Sequence, residues 1–383
     1  MSNSLKIIAM YFTQLHAIPE NDEWWGKGFT DWQNVKRAEP LFEGHYQPRL
    51  PSNSNYYDQS QLQTIKRQVD LARKYGIYGF CHYHYWFDGK QLLETPTNLW
   101  LENKDIDFPF CLSWANETWS RRWDGKDHDI LIQQSHPPTI ESWSEHFDYL
   151  IKAWTDRRAI KIDGKPVFII YRPQKIEQID AMLGYWNKRA QERGLKGLYF
   201  IYQKQYELPG SKQIKSFDAS FQFQPFNALL SDAYSLSARF RQRLRLLIDL
   251  LPKYTQSFIW SNWASRRNSY TIHDYDKVWQ LIIEKSRKLR MNEFPGAFAD
   301  WDNTARYGST ATIVQGATPD RFRHWFCKLV EELSNRPDDS NYLFFNAWNE
   351  WAESAYLEPD EKFGTAYLEV IRDAITESPG KSQ

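Results

Sequence analysis

The 383 residues carry 48 Lys and Arg against 48 Asp and Glu, a balance that excludes the one-sign field with which proteins attract nucleic acid. Hydrophobic residues make up 42% of the chain, enough to fill a large core, and no apolar segment is long enough to cross a bilayer. The start of the chain lacks the pattern of a secretory signal, so we expect a cytoplasmic protein whose Cys81, Cys111 and Cys327 are free thiols.

Short β-rich runs alternate along the chain with segments of helical periodicity. Eight strands are predicted, at Lys6–Phe12, Ile77–Phe87, Phe108–Ala115, Pro166–Arg172, Leu198–Tyr202, Ala219–Phe223, Pro295–Trp301 and Tyr342–Trp348. Eight strands separated by helices are typical of a (β/α)8 TIM barrel, and we predict one such α/β domain over residues 1–377 with a disordered tail at 378–383. A doubly wound open sheet would show a Gly-rich phosphate loop after an early strand, and the sequence contains none.

The helical segments carry start and stop signals. Asp58 is a candidate N-cap for a helix that Gly76 closes, and Thr318 followed by Pro319 marks a second helix start. Further helices are predicted at about Glu141–Arg158, Lys175–Arg193, Asp274–Arg290 and Gly364–Thr376. Two long insertions interrupt the alternation, one at Thr13–Tyr57 after the first strand and one at Phe226–Thr271 between the sixth and seventh strands.

Polar and aromatic side chains gather where the predicted strands end. The candidate substrate-binding residues are Tyr11, His16, Trp25, Asp31, Trp32, His84, Trp86, Trp114, Asn116, Glu117, Trp119, Asp300, Trp301, Asn303, Arg306, Asn349 and Trp351. Because the carboxyl ends of barrel strands meet at one face, we expect these residues to line a single pocket. The chain contains 18 Trp, and aromatic rings beside polar groups suit sugars, whose C–H faces stack while their hydroxyls form hydrogen bonds.

The candidate catalytic residues are Glu350 and Glu353, which follow the apolar run Tyr342–Phe345. Two acids held close together beside apolar rings change each other's pKa, so that one of them keeps its proton near neutral pH. One protonated and one ionised carboxyl group is what glycosidic bond chemistry requires. A solvated loop after a core strand is the alternative interpretation of the same residues.

Other motifs have competing interpretations. His82 and His84 share one face of a strand, but no further Cys or His completes a metal site, so we expect hydrogen-bonding histidines and neither a metal nor a cofactor. Asp300 and Asp302 match the acid-x-acid pattern of some glycosyltransferases, although that pattern is short and belongs to another fold. Glu117, beside Asn116, is either part of the site or a structural ion-pair partner of one of three arginines, Arg121, Arg122 or Arg306.

The segment Arg239–Arg245 combines alternating arginines with an apolar stripe. A basic amphipathic helix of this kind either contacts an anionic membrane surface or a phosphorylated donor, or simply packs on a domain with its charged face outward. Peripheral membrane contact through this helix is therefore one expectation.

Taken together, the motifs resemble the WbsX-like family, described as glycosyltransferases of bacterial surface polysaccharide loci, whose domain is similar to family-99 glycoside hydrolases. The matching segments are Tyr11-Phe12 with Gln14 and His16, Trp24–Trp32, Gly79–Lys90, Trp114–Trp119, Trp301–Arg306 and Phe345–Pro359. The resemblance implies a (β/α)8 barrel and a reaction that retains anomeric configuration. Through the motif Asn-Glu-Trp-x-Glu, it implies that Glu350 draws a proton from the sugar 2-hydroxyl, which attacks C1, and that Glu353 protonates the leaving oxygen and later activates the acceptor.

The Trp24–Trp32 and Asp300–Arg306 segments look like WbsX-type members rather than mannosidases, and the hydrolases usually act outside the cytoplasm. We therefore expect a glycosyltransferase in the cytoplasmic assembly of a surface polysaccharide, such as the O-antigen of lipopolysaccharide or a capsule, at the inner face of the membrane. Its partner is a carbohydrate, either an oligosaccharide or an activated sugar donor. A retaining glycoside hydrolase and a non-catalytic glycan-binding barrel are the alternatives.

Overall fold

The computed structural model describes residues 5–121, 126–205, 215–232, 270–334, 336–337 and 341–377. Its centre is a ring of parallel strands, which are β1 Lys6–Tyr11, β2 Gly79–Phe87, β3 Phe110–Trp114, β4 Lys165–Ile170, β5 Tyr199–Lys204, β6 Ala219–Gln222, β7 with its two parts Glu293–Phe294 and Gly296–Phe298, and β8 Tyr342–Asn346. Consecutive strands are neighbours, and β1 pairs with both β2 and β8. This nearly closed ring is a (β/α)8 barrel, which confirms the predicted fold class.

Pro295 divides β7 into its two parts because proline has no N–H to donate to a ladder. The first part pairs with β6 and the second with β8, so the ring continues across the interruption. Gly296 lies where β6 and β7 approach each other most closely, since a Cβ atom there would lie only 1.7 Å from the carbonyl oxygen of Gln222. Only glycine permits this approach.

Helices surround the ring, as the periodicity predicts. They are α1 Pro19–Trp25, α2 Trp32–Arg37, α3 Leu62–Lys74, α4 Thr95–Glu102, α5 Ile140–Trp154, α6 Ile179–Glu192, α7 Phe226–Asp232, α8 Tyr275–Ser286, α9 Thr304–Tyr307, α10 Pro319–Leu333 and α11 Ala366–Thr376. Short 3-10 turns cover Ser52–Ser54, Pro173–Lys175, Gly308–Thr310 and Trp351–Glu353. No helix in these described ranges is both long and apolar enough to span a bilayer.

Short additional strands lie at both ends of the barrel. Lys90–Leu92 and Lys161–Ile162 pair antiparallel with β2 and β4, and Trp119–Arg121 forms a hairpin with Lys126–Ile132. A three-stranded sheet contains Thr271–Asp274, Thr312–Gln315 and Trp301–Asp302, while Asn349–Glu350 pairs with Ala355–Tyr356. The predicted seventh strand was therefore too long, because Trp301 leaves the barrel to pair with Val314.

Two of the predicted helix signals are confirmed and one is wrong. The Thr318 hydroxyl accepts a hydrogen bond from the Arg321 N–H at 3.3 Å, and Gly76 ends α3 with a φ of +80°. Asp58 does not cap α3, because its carboxylate accepts from the N–H of Ser60 in a turn before the helix begins. Of the free thiols, Cys81 and Cys111 are buried and Cys327 is half-buried.

The core has two layers because side chains on a strand alternate between opposite faces. Residues such as Ile8, Cys81 and Phe221 fill the inside of the ring. Their neighbours in sequence, such as Ile7 and Phe80, pack outward against the helices. This alternation decides which side chains at the strand ends can reach the carboxyl-end cavity. The predicted helix at Arg239–Arg245, most of the second insertion and the tail at 378–383 lie outside the described residues.

Candidate active site

The acids Glu350 and Glu353 lie on a tight turn after β8. The short strand Asn349–Glu350 pairs with Ala355–Tyr356, and the 3-10 turn Trp351–Glu353 connects the two. The turn closes at Ser354, which adopts a left-handed conformation with a φ of +53°. This compact backbone brings both carboxylates to the same arginine.

Arg306 lies in the short helix α9, which follows β7 in the chain, and it forms ion pairs with three carboxylates. Its Nη2 lies 2.5 Å from Glu350 Oε1 and 2.7 Å from Asp31 Oδ2, and its Nη1 lies 2.9 Å from Glu353 Oε1. The guanidinium carbon lies 5.1 Å from the centre of the Phe12 ring. One cation is therefore shared among three acids in a buried cluster.

Burial has the largest effect on the pKa values of the two glutamates. It raises the pKa of Glu350 well above its ordinary value and also raises the pKa of Glu353, while Arg306 opposes both shifts. Repulsion from Glu353 and Asp31 adds to the rise at Glu350. Because a single guanidinium cannot neutralise three carboxylates, the cluster favours binding a proton.

Both glutamates contact Arg306 through Oε1, and both reach the cavity surface. The Glu353 side chain is 19% exposed and that of Glu350 is 7% exposed, so Glu353 is the more accessible acid.

Both acids line a cavity of about 550 Å³ at the carboxyl end of the barrel. Its wall is mostly aromatic and polar, and includes Phe12, Gln14, Tyr83, Tyr85, Glu117, Trp119, Tyr171, Arg172, Gln205, Phe223, Trp301, Asn303, Arg306 and Tyr307. This volume lies in the range of ligand-binding pockets. A side chamber of about 170 Å³ adjoins it, lined by Trp25 and Asn21 and sharing Gln14, Glu117, Trp119, Tyr171 and Tyr307 with the main cavity.

The structure brings together about half of the residues that the sequence predicts for the site. Glu117, Trp119, Trp301, Asn303, Arg306, Glu350 and Glu353 line the main cavity, and Trp25 lines the side chamber. Asp31 lies directly behind Arg306 and is almost fully buried. These nine residues form the candidate site.

Four predicted residues are removed from the candidate site, because they point outward from the barrel into the layer beneath the helices. These are Tyr11, His84, Trp86 and Trp114. Burial lowers the pKa of His84 to about 3, and its Nε2 lies 2.9 Å from Nε2 of His146 on α5. His82 likewise contacts the hydroxyl of Thr97, at 3.1 Å.

Alternation on the strands explains both these placements and the residues that sequence reasoning missed. Tyr83 and Tyr85 flank His84 on β2 and face the cavity, as does Tyr171 after β4. The period of two was visible in the sequence, but the face that looks inward was not. Tyr83 and Tyr85 follow Cys81 at steps of two and so share its face, but only the structure shows that this face looks inward.

Two asparagines of the predicted site form hydrogen bonds to backbone groups and do not line the cavity. The Asn349 amide accepts from the N–H of Phe12 at 2.8 Å and donates to its carbonyl at 3.0 Å. Asn116 makes the same pair of bonds to Arg172, at 2.8 and 2.9 Å. Each amide thereby fixes the end of another barrel strand next to the cavity.

Two buried tryptophans support the turn that carries Glu350 and Glu353 from the side away from the cavity. The indole of Trp351 donates to Glu358 at 2.7 Å and stacks on Tyr356 at 3.8 Å between ring centres. Trp32 donates to the carbonyl of Tyr57 and packs against Trp351. Both indoles are buried away from the main cavity and position its wall.

The acids Asp300 and Asp302 also lie outside the main cavity. Asp300 pairs with Arg49 at 2.8 Å, and Asp302 accepts from Gln47 and contacts His45, both at 2.7 Å. These contacts tie the first insertion to the end of β7. His16 is buried in that insertion, and its ring nitrogens have no hydrogen-bond partner among the described residues.

Glu117 combines both interpretations that the sequence left open. It lines the cavity and pairs with Arg172, whose Nε lies 3.0 Å from its Oε1. This partner is none of the three arginines that the sequence suggested. The part of the chain that the structure describes contains no group of three or more His, Cys, Asp or Glu residues arranged to hold a metal ion.

Comparison with known proteins gives three results. The family model described as Glycosyltransferase WbsX matches residues 7–371. Proteins named uncharacterized protein WxcX, from two strains of Xanthomonas campestris pv. campestris, are 36% identical over 375 residues, which is 97% of this chain and 50% of theirs. The chain thus spans about half the length of these curated relatives.

Among solved structures, a glycoside hydrolase-like protein superposes with a TM-score of 0.60 at 11% identity, over 97% of this chain and 94% of that one. The GH99 endo-alpha-mannosidase of Bacteroides thetaiotaomicron superposes with a TM-score of 0.54 at 12% identity, over 97% and 96% of the two chains. At these identities the likeness establishes the fold alone.

Proposed function

The chain belongs to the WbsX glycosyltransferase family, and we propose that it makes or breaks glycosidic bonds with retention of configuration, using Glu350 and Glu353, in the assembly of a bacterial surface polysaccharide such as O-antigen or capsule. The observation that carries this proposal is the pair of buried glutamates held by Arg306 in a cavity walled with aromatic rings. Rings bind the faces of sugars, and the two acids supply the proton transfers.

The contacts with Arg306 divide the two roles. Glu350 is the more buried acid and makes the shorter contact with the guanidinium, 2.5 Å against 2.9 Å, a contact that favours its ionised form against the effect of burial. We assign it the base that removes the proton of the sugar 2-hydroxyl. Burial raises the pKa of both acids, so the pKa directions do not divide the roles. Glu353 is the more accessible of the two, with 19% of its side chain exposed against 7%. We assign it the acid that protonates the leaving oxygen.

Hydrolysis is the second candidate, because the same two acids serve water as readily as an acceptor hydroxyl. In transfer, the deprotonated Glu353 takes the proton of an acceptor sugar, and in hydrolysis it takes one from water. The description of the family favours transfer.

Replacement of each acid by its amide tests the proposal. We expect Glu350→Gln and Glu353→Gln each to abolish sugar release and sugar transfer, measured by chromatography of labelled polysaccharide fragments after incubation with the purified protein. Glu331→Gln, on the exposed face of α10, is the matched control and should leave turnover unchanged. Undiminished turnover in both site variants would show that these two acids are not the catalytic machinery.

We also propose that the reaction takes place on the cytoplasmic side of the membrane, with peripheral contact through the basic segment Arg239–Arg245. Sedimentation with anionic liposomes tests this contact. The protein should pellet at low ionic strength and be released by salt, since screening weakens exposed charge contacts. A variant with the four arginines of this segment, Arg239, Arg241, Arg243 and Arg245, changed to Ala should stay in the supernatant at both salt concentrations.

A further inference from the structure

The charges around the main cavity are unequal. The described residues that line it include three acids, Glu117, Glu350 and Glu353, and two arginines, Arg172 and Arg306. Both guanidinium groups already contact these acids, and Asp31 adds a further carboxylate behind Arg306. Among the described residues that line the side chamber, Glu117 is the only charged one. The described wall therefore has a surplus of negative charge.

A sugar nucleotide fits this wall poorly. Its diphosphate carries at least two negative charges, and sites that bind such groups present arginine or lysine side chains to them. For Arg306 to bind a diphosphate, it would have to leave Glu350 and Glu353. Two buried carboxylates would then lose their cation, which is strongly unfavourable.

The presence of a proton donor points in the same direction. A nucleoside diphosphate departs as a stable anion and needs no proton, whereas the oxygen of a sugar hydroxyl is a strong base and must be protonated as it leaves. A site that keeps a protonated carboxyl group beside other acids is suited to the second kind of leaving group. Glu353, which lines the cavity with 19% of its side chain exposed, is placed to give that proton.

The shape of the site suits a glycan on both sides of the bond. The main cavity, of about 550 Å³, adjoins the side chamber of about 170 Å³, and the two share Trp119 and Tyr171 as wall residues. Trp25 forms a further aromatic wall of the side chamber. A chain of sugars that crosses from one space to the other would meet a ring in each.

Resting on the proposed function, we infer that the glycosyl donor is itself an uncharged glycan, whose leaving group is a sugar hydroxyl, and that the enzyme does not draw on sugar nucleotides. The reaction is then the exchange of one glycosidic bond for another, with water as a competing acceptor.

The step balances without a phosphorylated donor. The 2-hydroxyl proton moves to Glu350, the 2-oxygen bonds to C1, the bond from C1 to the glycosidic oxygen breaks, and that oxygen takes the proton of Glu353. An acceptor hydroxyl then attacks C1 and gives its proton to Glu353, while the 2-oxygen leaves C1 and recovers its proton from Glu350. Both acids return to their starting state.

Nucleotide binding to the whole protein is the direct test. We expect UDP, GDP and dTDP to show no binding by calorimetry at concentrations up to about 1 mM. Binding of any of them more tightly than this, with competition by the corresponding sugar nucleotide, overturns the inference. This measurement requires no knowledge of the sugar.

Leaving-group dependence is the second test. A panel of 4-nitrophenyl glycosides and the matching methyl glycosides should show that Glu353→Gln lowers the rate by about 10²–10⁴-fold for methyl glycosides but less than about tenfold for 4-nitrophenyl glycosides, whose leaving group needs no proton. Release of a nucleoside diphosphate from a sugar nucleotide, dependent on Glu350 and Glu353, would refute the inference and leave the proposed function standing. Turnover of any substrate that is independent of both acids would refute the proposed function itself.

Discussion

Two pairs of acids follow neighbouring strands of this barrel, and they have opposite surroundings. Asp300 and Asp302, after β7, are enclosed by partners from the first insertion, with Arg49 on one and with His45 and Gln47 on the other. Glu350 and Glu353, after β8, share Arg306 and line a cavity. Similar spacing in sequence thus accompanies a structural tie in one case and a candidate reactive pair in the other.

The electrostatics separate Asp302 from the two glutamates, but not Asp300. Burial works against ionisation of Asp302, but hydrogen bonds from His45 and Thr304 hold its pKa below the ordinary value. Burial raises the pKa of Asp300, as it does for the two glutamates, but the Asp300 carboxylate is occupied by Arg49 and the N–H of Trp301. Access to the cavity, rather than burial or spacing, therefore distinguishes the two glutamates from the two aspartates.

The strongest way to break this comparison is to exchange carboxylates for amides in both pairs. Glu350→Gln and Glu353→Gln should each lower kcat by about 10²–10⁴-fold, since each removes a proton-transfer group, with little change in the midpoint of thermal unfolding. Asp302→Asn should do the reverse, lowering the midpoint while the remaining folded protein keeps most of its kcat. A loss of kcat in Asp302→Asn as large as in the glutamate variants would end the distinction.

Removal of the two arginines sharpens the comparison next. Arg306→Met leaves Asp31, Glu350 and Glu353 without their shared cation and should destabilise the protein by about 3–5 kcal/mol while abolishing activity. Arg49→Met should cost a similar free energy of unfolding, because it exposes Asp300 to the same loss, but should retain activity in the folded fraction. Urea denaturation and initial rates on the same samples measure both quantities.

The pH dependence of stability separates Glu353 from Asp302, because their pKa values shift in opposite directions. A carboxyl group whose pKa is raised in the folded state binds its proton more tightly there than in the unfolded chain, so it lowers stability as the pH rises from its ordinary pKa through the folded value. Glu353 is such a group, and Asp302, with a lowered pKa, is the opposite.

We therefore compare the free energy of unfolding of Glu353→Gln with that of the wild type at two pH values. The difference, variant minus wild type, should be larger at pH 8 than at pH 5. Asp302→Asn should lose most of its stability disadvantage only when the pH falls well below 4, where the wild-type carboxylate is protonated too. Unfolding midpoints across this pH range decide the matter, and a Glu353→Gln difference that does not vary with pH would contradict the raised pKa.

The smallest expected effect on activity comes from a residue on the cavity-facing side of β2. Tyr85→Phe removes a hydroxyl at the cavity wall and should lower kcat/KM by about two- to tenfold, the loss of about one hydrogen bond of 0.5–1.5 kcal/mol to a sugar. Tyr149→Phe, which changes a hydroxyl near His84 in the layer under the helices, is the matched control. Its kcat/KM should equal that of the wild type within twofold, whereas equal losses in both variants would remove the argument from strand faces.

The sequence by itself determined the (β/α)8 barrel and its order of elements. Apolar residues recur every two residues in strands and about every 3.6 residues in helices, and both periods are local properties of the chain. Their alternation therefore predicts eight strands and the helices between them. The same local logic located Thr318 and Gly76 as the start and end of helices. It also placed Glu350 and Glu353 on a turn after a buried strand, since an apolar run followed by polar residues is readable along the chain.

Only the tertiary structure decided which side chains meet in the site. Arg306 contacts Asp31, 275 residues away in sequence, and His45 contacts Asp302 across 257 residues, and no local pattern encodes such partners. The strand period also leaves its phase open, so Tyr83 and Tyr85 rather than His84 and Trp86 line the cavity because closure of the ring turned that face inward. Contacts between distant segments depend on how the whole barrel closes, which makes them a property of the folded chain.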